Sequence, residues 1–268
     1  MFANASVRQP AVAGLFYPLD SGELRDTVSK LLEDTAAKQL PATPQAFIVP
    51  HAGYIYSGGT AASAYALIAA QRGKVNKVVL VGPSHRVYLN GVALPEAGAF
   101  ATPLGIVPID AELHNELKNY PGVIESDQPH RFEHSLEVQL PFLQMVLGEF
   151  SLVPLVAGIA PAALIASVLA RAWQDPQTLV IASSDLSHYH SYAEAQRIDE
   201  ATSSAILRRE STLTGDQACG AVALNGLLEA ARERDLAVDE LARCNSGDTA
   251  GDRNRVVGYG AYALYEAH

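Results

Sequence analysis

The chain has 268 residues, of which 49% are hydrophobic and 18% charged, and its formal net charge is -10. That is long enough to bury one large core, and the composition excludes a collagen repeat, a disordered chain or a scaffold stapled by many disulfides, since only two cysteines are present. The acidic balance repels phosphate backbones, so no nucleic-acid partner is expected.

No window reaches the roughly 18 apolar residues a membrane helix requires, so no membrane partner is expected either. The start, Met1-Phe2-Ala3-Asn4-Ala5-Ser6-Val7-Arg8, lacks a basic stretch followed by an apolar run and does not read as a signal peptide. A cytoplasmic location is the simplest expectation.

Taken in chain order, residues 46–50 form a short apolar strand and 58–70 an Ala-rich helix. The β-branched run 75–81 reads as a strand buried on both faces. Residues 104–109 suit another short strand, and Asp110 can cap a helix running through 119. Residues 133–147 carry Leu136, Leu140 and Leu143 at helical spacing, with a kink expected at Pro141. A strand over 151–156, a helix over 161–173 and a buried strand over 178–183 follow. Two helices fall within 193–209 and 217–234, and 255–265 closes as a Gly-interrupted strand. Strands alternating with helices predict an α/β fold with a mostly parallel or mixed central sheet and helices on both faces. With no long linker and no fixed repeat, residues 1–268 are expected to form a single domain.

Three strands end alike. Each is an apolar run, then a small-residue turn, then a polar group: Val49-Pro50-His51-Ala52-Gly53-Tyr54, Val81-Gly82-Pro83-Ser84-His85, and Ala182-Ser183-Ser184-Asp185-Leu186-Ser187-His188. Ligands of open α/β sheets bind outside the carboxyl ends of the strands. Parallel pairing would therefore gather His51, His85, Asp185 and His188 on one rim. Imidazole suits iron, copper and zinc. Two histidines seldom hold a metal alone, and Asp185, Glu137, Cys219 and Cys244 are all candidates for a third ligand. On a helix, His134 and Glu137 would share a face and line a pocket, or Glu137 would orient a ligand histidine. The plain alternative is an exposed i,i+3 pair. His114, His130, His190 and His268 lack such context and are expected at the surface.

The motifs Pro50-His51-Ala52-Gly53-Tyr54, Gly82-Pro83-Ser84-His85, Glu133-His134-Ser135-Leu136-Glu137 and Ser183-Ser184-Asp185-Leu186-Ser187-His188, in this order, resemble those of the Memo family. The stretch Ala13-Gly14-Leu15-Phe16-Tyr17-Pro18 looks like that family's start. The resemblance spans nearly the whole chain. It implies a fold similar to class III extradiol dioxygenases and a metal held by His51, His85 and Cys219, the last in a Cys219-Gly220 pair. Cys244 has no counterpart in the family pattern. His188 matches the dioxygenase acid/base, with Asp185 beside it to raise its pKa. Tyr54, His134 and Glu137 would line the substrate pocket.

A thiolate ligand points to iron(II) or copper, with zinc ranked behind. The resemblance thus implies a metal-dependent redox protein or dioxygenase-like enzyme acting on a small organic substrate. The alternative is an adaptor that binds a peptide in the same pocket without catalysis, because animal members are linked to phosphotyrosine peptides. Bacterial members implicate partner proteins of a radical-SAM-linked system, AmmeMemoRadiSam. A metallohydrolase would explain the histidines but not the cysteine.

Overall fold

The computed structural model describes residues 6–267. Residues 1–5 of the stretch weighed as a signal peptide, and His268, lie outside the described residues. In chain order the elements are β1 (Val7–Arg8), α1 (Ser21–Glu33), β2 (Ala46–Val49), α2 (Tyr54–Ala69), β3 (Lys77–Pro83), β4 (Val92–Leu94), β5 (Ala99–Thr102), β6 (Gly105–Pro108), α3 (Ala111–Leu117) and β7 (Val123–Glu125). A 3₁₀ turn (Glu137–Gln139) then leads into α4 (Leu140–Leu147). After it come β8 (Ser151–Ala157), α5 (Ala162–Ala172), β9 (Thr178–Ser183), β10 (His188–His190), α6 (Tyr192–Leu207), α7 (Ala221–Glu233), β11 (Leu236–Asn245) and β12 (Val256–Glu266).

The mixed α/β architecture follows from the apolar runs. Strands β2, β3 and β9 are buried at every position, as strands covered on both faces must be. The main sheet runs β10-β12-β2-β9-β3-β8-β4-β7, with β11 added antiparallel to β12. Its centre, β2-β9-β3-β8, is parallel, while β12 and β4 join antiparallel on either side. Alternate side chains feed two cores. Phe47, Val49, Leu80 and Ile181 pack with α1, α2 and α4, whereas Ile48, Val79, Val81 and Val180 pack with α3, α5 and α7. The crossover from β2 to β3 carries α2 over one face, and the return from β8 to β9 carries α5 over the other. Right-handed crossovers in opposite directions require this. The parallel centre therefore ends all of its strands on one rim.

Two expectations change here. Residues 133–136 are not helical, so His134 and Glu137 share no helix face. Pro141 lies in the first turn of α4, where a missing N–H costs nothing, and no kink follows. Asp110 does cap α3, accepting from Leu113 N at 2.9 Å. The helix α1 and the long strand β11 have no counterpart in the sequence reading. Among the described residues, no helix is long and apolar enough to cross a membrane.

Candidate metal centre

His51 leaves β2 and His85 leaves β3, the two strands that flank β9. The chain at both exits is held by a carboxylate. Asp185, just past β9, accepts the His51 backbone N–H at 2.7 Å. Glu133 accepts the His85 backbone N–H at 2.7 Å and faces His85 Nδ1 at 2.9 Å. Glu133 also accepts the backbone N–H groups of His134 and Ser135, both at 2.9 Å. Burial opposes its ionisation, yet His85 and these amides outweigh burial and hold the carboxyl down at about 2. An ionised carboxylate only accepts, so His85 Nδ1 donates to it.

The three rings of His51, His85 and His134 meet. His85 and His134 stack at 4.7 Å between centroids, and His51 stands edge-on to both at 5.2 and 5.3 Å. Ligand nitrogens from all three lie within 4.8 Å of one another, so the cluster could hold a metal ion. Cys219 Sγ lies outside that group of three, 3.3 Å from His51 Nε2. Bonds of about 2.3 Å to sulfur and 2.0–2.1 Å to nitrogen put two ligands of one tetrahedral ion roughly 3.5 Å apart, close to that spacing. The donor chemistry fits as well. Burial, then the neighbouring His134 and His85, push His51 well below the usual imidazole range, so it stays neutral, as a ligand must. Burial, then the charge of Asp185, push the Cys219 thiol up to about 12. A thiolate there needs a cation beside it. Two glycines permit the approach. A Cβ on Gly82 would lie 2.9 Å from Leu136, and one on Gly220 would lie 2.7 Å from the Ser183 carbonyl oxygen.

A cleft of about 1030 Å³ opens over these groups, and Phe16, Arg86, His188 and Tyr189 add to its walls. His188 lines the cleft, but no hydrogen bond or ion pair joins it to Asp185 among the described residues. Its Nδ1 bonds the Leu186 carbonyl at 2.8 Å instead, and burial lowers its pKa rather than a carboxylate raising it. Asp185 is turned to backbone amides, and burial raises it to about 7. Tyr54 and Glu137 lie outside the cleft wall. The Tyr54 hydroxyl is spent on Val138 O at 2.7 Å. Glu137 is sealed in the core by an ion pair with Arg8 at 2.7 Å, and it accepts from Ala11 N, Val12 N and Tyr17 OH. Cys244 sits 3.0 Å from Thr60 Oγ1 and is absent from the cleft wall. His114 and His130, expected at the surface, are buried at 0% and 2% exposure, each with Nε2 against a backbone carbonyl oxygen. Glu133 was missed as a functional residue. The one available signal was an acid directly preceding His134.

Comparison with known proteins agrees with the motif order. A family model described as "Memo-like protein" matches residues 8–263. A MEMO1 family protein of Aquifex aeolicus is 37% identical over 268 residues, covering 94% of this chain and 97% of that one. A MEMO1 family protein of Metallosphaera sedula is 34% identical over 281 residues, covering 94% and 97%. In fold, the chain is similar to an uncharacterized protein from Escherichia coli K12, with a TM-score of 0.55, 14% identity, and coverage of 81% of this chain and 98% of that one.

Proposed function

The chain belongs to the Memo-like protein family, and on that premise we propose that it is a metal-dependent redox protein holding iron(II) or copper through His51, His85 and Cys219, with His134 alongside. The observation that carries this reading is the meeting of three imidazoles at one strand rim, with Cys219 Sγ 3.3 Å from one of them, at His51 Nε2. A soft sulfur beside imidazoles favours those two metals over magnesium or calcium. When bound, such a metal supplies one-electron redox chemistry. The residues around it supply order. Glu133 holds His85, and Asp185 holds the turn of His51. His188 donates through Nδ1 to Leu186 O, so its Nε2 is free to take a proton from a substrate in the cleft. The cleft volume suits a small organic substrate.

A second reading is an adaptor whose occupant is a peptide or a partner protein, such as one from a radical-SAM-linked system. It draws on exposed apolar side chains at the cleft mouth, with Leu15 at 80% and Tyr189 at 64% exposure. Oxygen uptake separates the two readings. Protein purified anaerobically and then given oxygen and a reductant is expected to consume oxygen in a metal-dependent way. Uptake that a chelator leaves unchanged would contradict the redox reading.

A further inference from the structure

We infer that Ser183, held in place by Gln139 and Tyr65, is a positioning residue that fixes His51 in the tautomer protonated at Nδ1, with the Nε2 lone pair open to the cleft. The inference deepens the metal-binding reading and rests on His51 being a ligand.

The argument is a count of protons. Three groups meet at Ser183 Oγ, all of them buried. The Ser135 carbonyl oxygen lies 2.6 Å away, Gln139 Nε2 2.9 Å and His51 Nδ1 2.9 Å. A carbonyl only accepts, so the single Ser183 proton goes to Ser135. Sent to His51 instead, that proton would leave two oxygens 2.6 Å apart with nothing between them. It would also orphan a buried carbonyl, at a cost of about 1–3 kcal/mol. The Gln139 amide is oriented independently. Its Nε2 reaches the Pro50 carbonyl oxygen at 3.0 Å, and its Oε1 accepts the Tyr65 hydroxyl at 2.6 Å. Flipping the amide would set oxygen against the Pro50 carbonyl oxygen. Gln139 therefore donates to Ser183. The hydroxyl has now given its proton and accepted one hydrogen bond, and what it offers His51 is a lone pair. His51 Nδ1 must carry hydrogen, and Nε2 must be bare, on the side where Cys219 Sγ stands.

Each member of the chain lies where a solvent-facing role is excluded. Ser183, Tyr65 and Gln139 are exposed by 0%, 0% and 1%. Ser183 ends β9, between the two strands that deliver His51 and His85, so its hydroxyl is the nearest fixed group from which a ligand ring on β2 can be steered. Metal-binding histidines commonly have their second nitrogen engaged in this manner, and losing that contact typically costs 10–100-fold in metal affinity.

The test is long-range ¹⁵N–¹H NMR of the full chain, labelled at histidine and stripped of metal, beside titration with iron(II) under anaerobic conditions. Wild type is expected to hold His51 as a single Nδ1-protonated tautomer. Ser183→Ala is expected to populate both tautomers and to weaken iron(II) binding by about 10–100-fold, and Ser183→Thr, which keeps the hydroxyl, is expected to restore the single tautomer. Wild-type His51 protonated at Nε2 would overturn the inference without any variant. An unchanged tautomer in Ser183→Ala would overturn it as well. The expected tautomers combined with no iron(II) binding would uphold the role of Ser183 and sink the metal reading instead.

Discussion

Replacing Glu133 by Ala is expected to lower stability by about 3–5 kcal/mol and to weaken metal binding by at least about 10–100-fold. One carboxylate at 2% exposure ties down two histidines. It accepts the backbone N–H groups of His85, His134 and Ser135 and steadies His85 Nδ1. Removing it leaves buried donors without acceptors, and each such orphan costs about 1–3 kcal/mol. The ring of His85 is then free to turn, and His134, stacked on it at 4.7 Å, loses its support. Urea unfolding and a metal titration on the same preparations check both effects. Glu133→Gln, which keeps the shape and one acceptor oxygen, is expected to fall between wild type and Glu133→Ala. Wild-type affinity in Glu133→Ala would show that the carboxylate does not orient the site.

Arg8→Ala is the second large effect, although Arg8 touches neither the candidate metal ligands nor the cleft. Its guanidinium pairs with Glu137, which is buried at 0% exposure, and donates to the carbonyl oxygens of His130 and Glu133. Buried pairs contribute little net stability when intact, because both ions lose their water. Breaking one from a single side strands the other charge, typically at about 3–5 kcal/mol. For a chain of this size that corresponds to a Tm drop of about 10 °C. The double variant Arg8→Met with Glu137→Leu is expected to recover part of the loss. Recovery stays partial because Ala11 N and Val12 N lose their acceptor. Thermal melts of wild type and the two variants decide this. Arg8→Ala melting within about 2 °C of wild type, under 1 kcal/mol, would contradict the cost assigned to breaking the buried Arg8–Glu137 pair.

These two residues also mark where reading the chain one residue at a time stops. His51, His85 and His188 were visible as candidates because each follows an apolar, β-branched run that only a buried strand explains, and buried parallel strands end on one rim. Nothing local distinguishes Glu133 from Glu137, since both are acids near His134 in a segment dense with Leu and Val. Their opposite roles are decided by partners far along the chain. His85 lies 48 residues from Glu133, and Arg8 lies 129 residues from Glu137. Ser183 and Gln139 escaped notice for the same reason, because a hydroxyl and an amide acquire direction only from what surrounds them. The surface expectation for His114 and His130 failed because an imidazole whose N–H is spent on a backbone carbonyl is cheap to bury. The helix α1 buries fully only Leu24 and Val28, too thin an apolar stripe to read with assurance. The strand β11 is half-buried along most of its length and carries Asp239, Glu240 and Arg243, as edge strands commonly do.

The proposed centre rests on Cys219 as a ligand beyond the three-histidine cluster. Sequence spacing left four candidates for the third ligand. In the folded chain Glu137 is committed to Arg8, Asp185 to backbone amides and Cys244 to Thr60, while Cys219 faces His51. Elemental analysis of freshly purified wild type and Cys219→Ser, both prepared anaerobically, tests this most directly. The account predicts iron or copper in wild type and loss of most of it in the variant, with the fold retained. Equal metal content in the two proteins would contradict it.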